Sequence, residues 1–146
     1  MRRTVFGDDS GQVASAEYNL GLLLMRQKQY EAARTHLARA VDIGVRLLPP
    51  SHANLAAYRL ALGSAQRNTG RYAEAEAALK LALPTFESIA APRGLDIATT
   101  RGELACVALA LGRAGAREQL DASLAVVDRV AADTPQAQRL HECRGR

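Results

Sequence analysis

Residues 62–82 read LGSAQRNTGRYAEAEAALKLA, and the chain on either side of this stretch repeats its pattern. Asn68, Thr69 and Gly70 interrupt a run of helix formers, and glycine after the last helical residue is the usual left-handed cap. From Tyr72 onward Ala75, Leu79 and Ala82 return at helical spacing. The stretch therefore predicts two helices joined by a tight turn, with alanines that let one helix lie close against the other.

Working outward, Gly21, Gly63 and Ala105 recur 42 residues apart, each preceded by a leucine: Leu20, Leu62 and Leu104. Tyr30, Ala33, Leu37 and Ala40 match Tyr72, Ala75, Leu79 and Ala82, and a third copy, one residue shorter across its turn, matches with Ala116, Leu120 and Ser123. Self-similarity at fixed period predicts helical hairpins stacked in a row, each burying its apolar face on its neighbours. The break between Gln27 and Tyr30 has no local glycine or proline and is inferred from the copy at Gly70.

Composition agrees. Aromatic residues make up 4% of the 146 and tryptophan is absent, so the core has to be built from leucine, alanine and valine, residues that favour packed helices over sheets. Pro49-Pro50 must end the second helix. Pro84 falls inside the fourth, where a kink or a missing hydrogen bond is expected. The chain divides into residues 1–10 as the remnant of a preceding repeat or connector, repeats at 11–48, 51–90 and 94–132, and a capping helix with tail at 133–146.

The leucine followed by a small residue, the Gly-x-Tyr-x-x-Ala turn and the spaced large and small residues after it resemble the tetratricopeptide repeat family. A period of 42 with a proline-containing connector is similar to the kinesin-light-chain type of that family, and Val5-Phe6-Gly7-Asp8-Asp9-Ser10 resembles the connector of that type. The resemblance implies an all-α, right-handed α-solenoid of three hairpins and a C-terminal capping helix, and a non-enzymatic module that binds a peptide or partner domain on its concave face. It places Tyr18, Asn19, Leu22, Arg26, Leu60, Ser64, Arg67, Asn68, Thr99 and Glu103 along that face, with Arg26 and Arg67 as near-equivalent cations for acidic groups of a ligand. The groove positions used for peptide carboxylates in related arrays hold Tyr18 and Leu22, Leu60 and Ser64, Gly102 and Cys106, so that mode is not expected. An array of this type also occurs behind bacterial serine/threonine kinase domains, which makes a regulatory or scaffold portion of a larger signalling protein the alternative. Self-association through an uncapped end of the stack is a further one.

No catalytic constellation is expected. His36, His52 and His141 lie on separate segments without recurring metal-ligand spacing, and Gly112-Arg113-Ala114-Gly115 follows a helix and reads as a turn rather than a phosphate loop. No cofactor or metal is expected. Net charge is +4, but the basic residues are scattered and not interleaved with aromatics, so nucleic acid is not an expected partner. Cys106 reads as a small buried hydrophobe and Cys143 as an exposed tail thiol, unpaired, which suits a reducing compartment. With no apolar run of membrane length and no signal-peptide pattern, the cytoplasm is the expected location and no membrane contact is expected.

Overall fold

The computed structural model describes residues 10–89 and 94–145. Among them are seven helices and no strands: α1 (Gly11–Arg26), α2 (Tyr30–Leu47), α3 (Ala53–Asn68), α4 (Tyr72–Ser88), α5 (Gly94–Ala110), α6 (Ala116–Ala131) and α7 (Pro135–Arg144). The expected connectors at Val5–Asp9 and Pro92–Arg93 lie outside the described residues.

Local chemistry sets the ends. The Ser10 side chain accepts from the Val13 amide at 3.1 Å and the Thr134 side chain from the Ala137 amide at 3.2 Å, each satisfying a free N–H of a first turn. Helix α3 starts two residues later than Ser51, because His52 is its cap and accepts from the Asn54 amide. Helix α4 runs through Pro84 to Ser88. The ring can donate no hydrogen bond there, so the helix continues on its packing, with Ala82 and Phe86 buried beside the proline.

Successive pairs α1–α2, α3–α4 and α5–α6 form hairpins, and each hairpin stacks on the next through α2 on α3 and α4 on α5. Glycine and alanine decide the spacing. A side chain on Gly63 would meet the Leu79 Cγ at 2.7 Å, and one on Gly21 would meet the Leu37 Cγ at 2.5 Å, so in both hairpins the leucine of the second helix seats on the bare backbone of the first. Ala33, Ala40, Ala75 and Ala82 are wholly buried at the same contacts.

The turn without a glycine has the same backbone as its copies. Lys28 sits at φ 62°, in the left-handed region that Gly70 occupies at 80° and Gly112 at 72°. A side chain there costs on the order of 1 kcal/mol. Lys28→Gly is therefore expected to raise stability by about 1 kcal/mol and Gly70→Ala to lower it by about as much, read from urea unfolding midpoints. The exposed ion pair of Lys28 with Glu142, which the first change removes, contributes little.

Leu62 is buried against the first hairpin, whereas Leu20, its copy, is 40% exposed and Leu23 is 46% exposed. No described element packs on the outer side of α1. The leucine stripe of the repeat is present in all three hairpins, and what covers it depends on a preceding neighbour.

Candidate interaction surface

The first helices of the hairpins, α1, α3 and α5, bring Tyr18, Leu22, Leu60, Ser64, Thr99 and Glu103 together around one small cavity of about 50 Å³. Six of the ten expected groove residues thus meet on one face. Arg67 and Asn68 line a larger open cavity of about 830 Å³ at the turn end of the hairpins. Asn19 and Arg26 are exposed and border neither.

Arg26 and Arg67, expected as near-equivalent cations, are one residue out of register. At the 42-residue spacing the counterpart of Arg67 is Met25, which is 2% exposed, and Arg67 is correspondingly buried at 7%. Its guanidinium is already engaged: Nε donates to Glu103 Oε1 at 2.6 Å, and Ser64 Oγ donates to Glu103 Oε2 at 2.7 Å. Three residues expected to greet a ligand instead form a buried network that ties α3 to α5. Nη2 of Arg67 has no hydrogen-bond partner among the described residues.

The Glu103 carboxyl is fully buried, and burial alone would push it up. The charge of Arg67, the hydrogen bonds from Arg67 and Ser64 and the charge of Arg139 act against that and hold it below the ordinary value of 4.5. Burial pushes the Arg139 guanidinium down from its usual range, with Glu103 and Tyr30 opposing. Near the amino-terminal end of this face the Tyr18 and Tyr58 rings pack with centroids 4.9 Å apart, and burial raises the Tyr18 hydroxyl, helped by Asp96 and Tyr58.

The capping helix expected at 133–146 is α7, but its packing on α5 and its disulfide differ from the sequence reading. Ala137, Leu140 and Cys143 on it are buried, and Leu140 lies where a side chain on Gly102 of α5 would be. Gln136 and Arg139 also line the inner-face cavity. Cys143 is not an exposed tail thiol: it forms a disulfide with Cys106, Cα–Cα 6.0 Å, so neither cysteine is free. Bridging 37 positions of chain stabilises the fold by about 3–4 kcal/mol. The pairing also removes the argument for a reducing compartment, which rested on unpaired thiols. No repeat copy of α7 precedes it, so spacing held no signal for this contact; the buried pattern Ala137, Leu140, Cys143 was the available one.

The large cavity is also lined by Lys28, Tyr30, Tyr72, Leu109, Arg117 and Glu142. Three cations and one carboxylate border it with two tyrosine rings, a composition suited to acidic and aromatic groups. His52 is a cap, while His36 Nδ1 lies 2.6 Å from Glu17 Oε1 and His141 Nε2 lies 2.8 Å from Asp128 Oδ1. Both carboxylates come from a neighbouring helix, which sequence spacing could not pair. No group of three or more potential ligands suits a metal among the described residues. No helix there is long and apolar enough to cross a membrane.

Comparison with known proteins agrees with this architecture. A Podosopora anserina kinesin light chain, so described provisionally, with nearly identical TPR-like repeats superposes with a TM-score of 0.68 at 18% identity over 99% of this chain and 72% of that one. BtubC (BKLC) from P. vanneervenii superposes with a TM-score of 0.64 at 21% identity over 94% of this chain and 50% of that one, so this chain spans half its length. At these identities the likeness is one of fold. No curated protein matches the chain in sequence. The tetratricopeptide repeat family model matches residues 12–88, more than half of the 146. With its 42-residue hairpins and glycine-seated leucines, the chain belongs to the tetratricopeptide repeat family.

Proposed function

We propose that the chain is a non-enzymatic interaction module whose inner face receives an extended segment of a protein partner. The observation that carries this reading is the open cavity of about 830 Å³ at the turn end of the hairpins, bordered by Tyr30, Tyr72, Asn68 and an excess of cations. Repeat arrays present such curved faces for peptides, and main-chain groups of a bound segment find partners in exposed amides and guanidinia. Acidic side chains on the partner would be drawn to Lys28 and Arg117.

Peptides selected on the chain from a random dodecapeptide library test this. They are expected to carry acidic residues, and Tyr72→Ala or Arg117→Glu at the large cavity should weaken them about tenfold or more in fluorescence anisotropy, while Lys80→Ala, exposed on α4 and outside that cavity, leaves them within a factor of about two. Selected peptides indifferent to both cavity changes would place the binding surface elsewhere.

A further inference from the structure

We propose that the Cys106–Cys143 disulfide is a redox latch: closed, it holds α7 over the inner face; opened by a dithiol reductant, it lets α7 leave and uncovers the surface around Leu60, Ser64 and Glu103. The proposal rests on the inner face being the binding surface and assigns the control of that surface.

Position comes first. At the 42-residue spacing Cys106 is the counterpart of Leu22 and Ser64, both of which line the inner-face cavity. The bond therefore fastens the last helix to the face itself and not to the back of the array. Helix α7 reaches that face through Gln136 and Arg139, which line the same cavity.

The other attachments of α7 are weak. It has ten residues, below the length at which an isolated helix holds its form in water. Its contacts Lys28–Glu142, His141–Asp128 and Arg144–Asp121 lie at the exposed surface and contribute little. Docking also buries Arg139 with its Nε unpartnered and brings a second cation toward Arg67, a cost that Glu103 only partly offsets. Ala137 and Leu140 supply the apolar part of the contact. Of the contacts that keep α7 in place, the covalent one can be switched off.

A reductant can reach it. Both cysteines line the open cavity of about 830 Å³, and Cys143 keeps 7% of its surface exposed against 2% for Cys106, so a small dithiol meets Cys143 first. A thiolate of the dithiol attacks Sγ of Cys143; the S–S bond breaks and Cys106 leaves as a thiolate that takes a proton from water. The second thiolate of the dithiol attacks the mixed disulfide, releasing Cys143 and leaving the reductant as its cyclic disulfide. Two electrons pass from the dithiol to the protein. Exchange with an oxidised dithiol runs the same steps backward and closes the latch.

The test is hydrogen exchange on the full chain before and after dithiothreitol, with no partner present. Amides of residues 137–144 are expected to exchange roughly tenfold faster or more after reduction, while those of α1 to α4 stay within about twofold. The Cys106→Ser, Cys143→Ser double variant should show the fast rate with or without dithiothreitol. Unchanged protection of α7 on reduction, loss of protection by all helices together, or two free thiols in the untreated chain would each overturn the latch. Peptides selected on the reduced chain complete the test: about tenfold tighter binding after reduction supports gating. Equal affinity in both states with α7 released overturns gating and leaves the binding surface intact, whereas failure to select any binder overturns the binding surface alone.

Discussion

Glu103→Ala is expected to lower the unfolding free energy by about 3–5 kcal/mol, because it leaves the guanidinium of Arg67 buried without its counter-charge. Removing the acid also strips Ser64 of its acceptor and Arg139 of the largest of the charges that compensate its burial. Thermal or urea unfolding followed by circular dichroism reads the loss directly. The same residue sets an acid limb. Its folded pKa lies below the ordinary 4.5, so its contribution is complete above that value and fades as pH falls through the folded one. Wild type should therefore lose stability on acidification below about pH 4.5, with a steeper slope than Glu103→Gln, which carries no charge to titrate. Equal slopes in the two proteins would mean that the pair is not formed.

Leu79→Ala ranks next, at about 2–5 kcal/mol. Leu79 is wholly buried among Ala75, Val107 and the half-buried Leu60, Tyr72 and Leu104, so it joins the second hairpin to the third. It also fills the space above Gly63, where the backbone offers no side chain to close over a cavity. Leu81, two residues on and 57% exposed, is the control: its replacement by alanine should move stability by less than about 0.5 kcal/mol. Comparable losses at both positions would contradict the assignment of α4's buried face.

Where the sequence could be read, it was read through its repeat. The turn around Lys28 has no glycine, and it was located only because Gly70 marks the same place 42 residues later; the left-handed backbone at Lys28 follows from that copy. Side-chain partners were less legible. A shift of one residue made Arg26 look like the counterpart of Arg67, when the repeat pairs Arg67 with buried Met25. Glu103 and Ser64 line the inner-face cavity, but the Glu103 carboxylate is spent on Arg67 and Ser64, across 36 and 39 residues of chain, a pairing visible only once α3 and α5 are side by side. Helix α7 is legible in the sequence as a capping helix at 133–146. Its disulfide and its intrusion on the inner face depend on the chain folding back over α5, and no earlier copy of that step exists to read.

The most direct test of the account is a hydrogen-exchange footprint of a selected acidic peptide on the reduced chain. Slowed exchange confined to α3, α5 and the turns at Lys28 and Gly70, with the outer surfaces of α2 and α4 unchanged, is the predicted result. Protection along α2 and α4 instead, with the inner helices unaffected, would contradict the claim that the inner face is where this array meets its partner.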